Sequence, residues 1–122
     1  MGSNPINLAL RFLLELAALL AIGIWGWEQS DTWMHFLLAF GLPIVFATIW
    51  GVFNVPNDPS RSGKAPIPVP GPIRLAIELA FFTFATWTLY DSGETNFAWI
   101  LGSIVTAHYL ISYDRIAWLF KQ

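Results

Sequence analysis

Arg11-Phe12-Leu13-Leu14-Glu15-Leu16-Ala17 and Arg74-Leu75-Ala76-Ile77-Glu78-Leu79-Ala80 decide how this chain is read. Each sets an arginine and a glutamate four residues apart inside a long apolar run, and the two stand 63 residues apart. The same offset lays Pro5 on Pro68, Trp27 on Tyr90, Glu28 on Asp91, Asp31 on Glu94, Thr32 on Thr95, Leu38 on Leu101 and Trp50 on Tyr113, with no gap. The chain therefore reads as two copies of one unit in the same orientation. Charged groups within a membrane-spanning segment are costly and need a partner or a purpose, so the duplicated pair marks where a site should be sought.

Composition sets the class. The chain is 56% hydrophobic and 16% aromatic with only 11% charged residues, against roughly 25% charged in ordinary soluble domains. An integral membrane protein is the expectation. Crossing a bilayer takes about 20 apolar residues, and residues 6–27, 32–53, 71–90 and 96–119 provide four such segments. Backbone groups in hydrocarbon must be satisfied within their own segment, so the spans should be helices. The predicted fold is all-α, a four-transmembrane-helix up-down-up-down bundle built from two parallel helical-hairpin repeats. One membrane domain covers residues 1–122, with repeat 1 at about 5–53, a linker at 54–72 and repeat 2 at about 68–116. Met1, Gly2 and Ser3 read as an expression scar, and the first span as a permanent helix, since no basic residue precedes it.

Topology follows from charge. When four spans are threaded up and down, Arg11, Arg61, Lys64, Arg74, Arg115 and Lys121 all fall toward one face. The opposite turns hold Glu28 and Asp31, then Asp91 and Glu94, and no basic residue. The positive-inside rule puts both termini and the linker in the cytoplasm. That linker carries six of the eight prolines and should be extended and polyproline-like, its basic residues lying against anionic headgroups. Ser60-Arg61-Ser62-Gly63-Lys64-Ala65 only superficially resembles a phosphate-binding loop, because the first glycine and the final hydroxyl residue of that motif are missing.

The parallel repeat places the first and third helices facing each other diagonally, with Arg11, Glu15, Arg74 and Glu78 in the cytoplasmic half. The last span returns to that half and brings His108, Ser112 and Arg115 along one stripe, with Asp114 beside it. Arg11, Arg74 and Arg115 against Glu15, Glu78 and Asp114 would form an electroneutral cluster. Arginine before glutamate is the weaker orientation for a pair within one helix, so pairing between helices carries equal weight. Two meanings stay open for the cluster. It can be a buried network that fixes helix register, or a ligand or proton site built from Arg11, Glu15, Arg74, Glu78, His108, Asp114 and Arg115.

Other features read as packing. Pro43 in Gly41-Leu42-Pro43 should kink the second span and release the Ala39 carbonyl. Gly102, Ser103, Thr106 and Ala107 suit close helix contact. His35 and His108 differ in depth by roughly 15 Å on equivalent helices, so they cannot share one ion or haem. No metal and no cofactor is expected, no cysteine is present for thiol chemistry, and no nucleophile with a base and acid appears. Enzymatic activity is not expected.

Asn4-Pro5-Ile6-Asn7-Leu8-Ala9-Leu10-Arg11-Phe12-Leu13-Leu14-Glu15-Leu16, Gly41-Leu42-Pro43, Trp50-Gly51-Val52-Phe53 and Pro70-Gly71-Pro72-Ile73-Arg74-Leu75 together resemble the YrdB-like family of small bacterial membrane proteins of unknown function. The resemblance implies a bacterial inner-membrane location and no particular activity. Two classes of function follow from the residues. One is transport or ligand binding, of a proton, cation or small organic ion, through the Arg/Glu cluster of what would then be a homodimer. The other is a structural or accessory subunit that binds a protein partner, the cluster only holding the bundle together. Membrane lipid is an expected partner in both, and nucleic acid in neither.

Overall fold

The computed structural model describes residues 5–56 and 65–122. The phosphate-loop-like stretch at 60–64, the basic residues Arg61 and Lys64, and the N-terminal Met1, Gly2 and Ser3 lie outside the described residues. Within them the fold is helical, with α1 at Pro5–Glu28, α2 at Met34–Val52, α3 at Gly71–Asp91, α4 at Thr95–Ile111 and α5 at Tyr113–Phe120. The one sheet among the described residues is a two-residue parallel pair, Phe53–Asn54 (β1) on Ile67–Pro68 (β2), which closes the linker at its base.

Three helices, α1, α2 and α3, are long and apolar enough to cross a membrane. The predicted fourth span, 96–119, is one segment in the sequence but two in the structure. It breaks at Ser112, where φ −91° and ψ 29° leave the helical range, so α4 has 17 residues and α5 only 8. At 1.5 Å per residue α4 is about 26 Å long, near the short end of spanning lengths.

The helix ends have local causes. Extended Pro70 precedes α3 and a proline occupies its first turn, where a missing N–H costs nothing. Its far end stops in a Schellman turn: Glu94 N–H donates to Leu89 O at 2.9 Å and Gly93 N–H to Tyr90 O at 3.1 Å. Gly93 takes the left-handed φ of 84° that this turn requires. Ahead of α2, Thr32 Oγ1 accepts from Met34 N–H at 3.4 Å and pairs with Ser30 Oγ at 2.8 Å.

α1 packs on α2 and on α3, and α3 packs on α4 and α5, so α1 and α3 form the axis of the molecule. Leu14, Ala18 and Ile22 of α1 meet Leu75, Phe81, Phe82 and Ala85 of α3, with Trp50, Leu101, Val105, Tyr109 and Leu119 around them. Contact with α2 is close because α1 offers glycine there. A methyl group at Gly26 would come within 2.7 Å of the Leu38 carbonyl oxygen, and one at Gly23 within 3.1 Å of the Ala39 oxygen. Ala39 is the carbonyl that Pro43 leaves without a helical donor, so the proline and the glycine are two halves of one packing arrangement. Gly71 performs the same service for α5, whose Leu119 backbone occupies the space a side chain would need.

Much apolar surface stays outside. α2 buries only Trp50 and turns Phe36, Leu37, Phe40, Ile44 and Val45 outward. A helix apolar on its outer face is what lipid contact requires. Ser103, Thr106 and Ala107 of α4 also face outward, so those small residues do not serve packing within the chain.

Candidate functional site

The site lies at the end of the molecule where α1 and α3 begin and α2, α4 and α5 converge, and its centre is Glu78 on α3. Glu78 is completely buried, as is Arg74 one turn before it. The pairing is both within and between helices. Arg74 Nε donates to Glu78 Oε2 at 2.8 Å along α3. From α5, Arg115 makes a bidentate contact, Nη1 to Oε1 and Nη2 to Oε2, each 2.8 Å. From α4, the Tyr109 hydroxyl donates to Oε1 at 2.8 Å. A carboxylate offers about four lone-pair directions, and these four hydrogen bonds fill them. Arg11 of α1 therefore arrives as a charge: its Nη2 stands 2.8 Å from Oε2 without hydrogen-bond geometry.

Arg74 has a second task. Its Nη1 donates to Trp50 O at 2.6 Å and Phe53 O at 2.9 Å, placing a cation on the last carbonyls of α2. The guanidinium carbon also lies 4.4 Å from the centre of the Trp50 ring, and that of Arg11 5.1 Å. Two buried cations thus share one indole face, which offsets part of their charge where water is excluded. Asn54 supports the same corner, its Nδ2 donating to Gly51 O at 2.6 Å.

Three guanidiniums around one carboxylate leave positive charge in excess. Glu15 meets part of it from the edge, with Oε1 3.5 Å from Arg11 Nε and the Glu15 side chain 21% exposed. A smaller polar chain runs alongside: Asn7 Nδ2 donates to Ser112 Oγ at 2.7 Å, and Asn7 Oδ1 lies 3.1 Å from His108 Nδ1. Ser112 is the residue at which the last span breaks, so the break places a hydroxyl beside α1 and lets Arg115 reach Glu78 from a separate helix.

Of the residues singled out in the sequence, Arg11, Arg74, Glu78 and Arg115 come together, Glu15 stands at the rim, and His108 lies next to the cluster through its neighbour Tyr109. Asp114 is exposed in the first turn of α5. The cluster is thus not the symmetric set of three acids and three bases that the sequence suggests, and His108, Ser112 and Arg115 do not continue along one helix. Tyr109, Trp50 and Asn7 are the participants that sequence reasoning missed. Asn7 carried a signal, being a polar residue one turn before Arg11 in an apolar span. The role of Trp50, whose carbonyl oxygen accepts from Arg74, has no sequence mark. Among the described residues no group of three or more metal-ligating side chains converges.

Residues 9–106 match the family described as Protein of unknown function (DUF2568). The chain is 42% identical over 119 residues to the Uncharacterized protein YrdB of Bacillus subtilis (strain 168), covering 98% of this chain and 97% of that protein. No solved structure matches it.

Proposed function

This chain belongs to the YrdB-like family of unknown function, and we propose that it is a structural or accessory subunit of a membrane assembly whose Arg/Glu cluster fastens two helical hairpins. In this reading α1 with α2 and α3 with α4 are the two repeats, α4 completes a four-span bundle, and the membrane is the bacterial inner membrane. The termini, the linker and the cluster lie on its cytoplasmic side, the side that carries every lysine and arginine. Lipid and a protein partner meet the outward apolar faces of α2 and α4.

One observation carries the proposal. Glu78 is fully buried and its hydrogen-bonding capacity is consumed by Arg74, Tyr109 and Arg115, with Arg11 as a further charge. A carboxylate so occupied has no direction left for a substrate or a proton, and every group on it comes from an element that must be held in place.

The competing reading, transport or ligand binding by a homodimer, rests on Glu15, the one repeat carboxylate with partial exposure. Native mass spectrometry of protein gently extracted from its own membrane separates the two, with Glu15→Gln run beside it. The fastening role predicts a wild type free of small molecules, with or without a second protein, and an unchanged spectrum for the variant. A small molecule bound to the wild type and lost from a folded Glu15→Gln variant would establish the binding reading instead.

A further inference from the structure

α1 and α4 touch only lightly and leave a groove of about 530 Å³ between them. Leu14, Ala21 and Leu101, all buried, form its floor, with Ala17 between them. On α1 the lining runs from Leu10 to Ile24, about 21 Å at 1.5 Å per residue. One leaflet of a bilayer's hydrocarbon is roughly 15 Å deep. The groove is therefore long enough to hold an acyl chain over the full depth of a leaflet.

Its walls are apolar except at one end, where Ser92 and Glu94 of the turn between α3 and α4 close it. Glu28 stands one turn beyond Ile24 on the same stripe of α1. The Trp25 indole Nε1 donates to Asp91 Oδ2 at 2.7 Å, which ties the end of α1 to the end of α3 and sets Glu28 and Glu94 at the same end of the molecule. Asp91 is engaged by that bond, whereas Glu28 and Glu94 are exposed. No lysine or arginine stands between residues 12 and 60 or between 75 and 114, so no cation of the helices or turns at this end balances the two carboxylates.

Charge at the mouth separates this groove from the larger one between α3 and α4, about 1010 Å³, whose walls hold no charged residue and select no headgroup. An apolar channel that ends at carboxylates matches an amphiphile with an acyl chain and a cationic head. A primary ammonium suits two carboxylates, because it brings three N–H donors for charge-assisted hydrogen bonds. A trimethylammonium head has no N–H, and a glycerol head has no positive charge.

We propose that the groove between α1 and α4 is a lipid site for phosphatidylethanolamine, with an acyl chain along the two helices and the ammonium at Glu28 and Glu94. The site rests on the membrane placement of α1 and α4 given above. It is independent of the fastening by Glu78, which lies toward the other end of α3. Lipid held here would stay on Glu15→Gln protein, which distinguishes it from a small molecule held by the cluster.

Delipidated protein in detergent, titrated with dioleoyl phosphatidylethanolamine, phosphatidylcholine or phosphatidylglycerol and read by native mass spectrometry, tests the site. The three lipids share their chains and phosphate, so the comparison isolates the amine. Phosphatidylethanolamine should bind about fivefold more tightly than either of the others, the size of one partly solvated ion pair. That preference should vanish when Glu28→Gln and Glu94→Gln are combined. Ala17→Phe, which fills the groove and keeps the carboxylates, should weaken the binding of all three lipids. A wild type that binds the three alike, or prefers phosphatidylglycerol, would overturn the proposal. So would a preference that survives the double variant, or lipid binding untouched in folded Ala17→Phe protein. The wild-type comparison decides the headgroup even if a variant fails to fold, and recovery of the wild type in the membrane fraction checks the membrane placement separately.

Discussion

Glu15 and Glu78 each stand four residues after an arginine in like sequence motifs 63 residues apart, yet they have different environments. Glu78 is wholly buried and takes contacts from α1, α3, α4 and α5, whereas Glu15 is 21% exposed and lies 3.5 Å from Arg11. The arginines differ as well. Arg74 serves Glu78 and the end of α2, while Arg11 stands closer to Glu78 on α3 than to Glu15 on its own helix. A duplicated motif has thus become one centre with a supporting edge. What separates the two motifs is α5: the break after α4 delivers Arg115, while α2 runs into β1 and delivers the carbonyls that Arg74 caps.

The sharpest way to break this comparison is to neutralise each glutamate. Glu78→Gln leaves three buried guanidiniums without their counter-charge and should cost about 3–5 kcal/mol. Glu15→Gln loses a long, partly solvated pair and should cost less than about 1 kcal/mol. Unfolding in lipid or mild detergent, followed by circular dichroism, reads both, and equal losses would return the two repeats to equivalence.

The next largest effect concerns α5. Gly71 sits against the Leu119 backbone, while the equivalent residue of the first repeat, Leu8, has a side chain. Gly71→Ala should force α5 away from α3 at a cost of at least about 1–3 kcal/mol. Limited proteolysis after Phe120 and Lys121 should quicken in step. An unaltered cleavage pattern would show that α5 is not held where the Glu78 site needs it.

Tyr109→Phe sharpens the picture by removing one donor and leaving the arginines. Glu78 Oε1 keeps Arg115, so the loss should be about 1–2 kcal/mol, within the range for one unmade buried hydrogen bond. Smaller again is Gly93→Ala, about 1 kcal/mol, because the turn between α3 and α4 uses a left-handed residue there. Replacing Ser30, its counterpart in the first repeat, with alanine should change unfolding less.

Three of the four expected spans and the convergence of Arg11, Arg74, Glu78 and Arg115 were legible in the sequence because apolar length and misplaced charge are strong signals. The break at Ser112 was not. Residues 96–119 are mostly apolar on both sides of Ser112, and no proline or glycine marks the interruption. Its cause is tertiary: Ser112 Oγ is taken by Asn7 and Arg115 by Glu78. Asp114 entered the expected cluster because charge balance favoured it, but the capping of α2 by Arg74 and the Trp50 ring supply part of that balance without a carboxylate. Tyr109 was hidden for the same reason, since a tyrosine in an apolar span announces nothing about where its hydroxyl points.

Whether Glu78 and not Glu15 ties α1, α3, α4 and α5 together is decided by paired double-mutant cycles on unfolding free energy in one lipid environment. One cycle combines Arg115→Met with Glu78→Gln, and the other Arg11→Met with Glu15→Gln. The account predicts a coupling at the upper end of about 0.5–3 kcal/mol for the first cycle and one below about 0.5 kcal/mol for the second. A coupling between Arg11 and Glu15 that equals or exceeds that between Arg115 and Glu78 would contradict it.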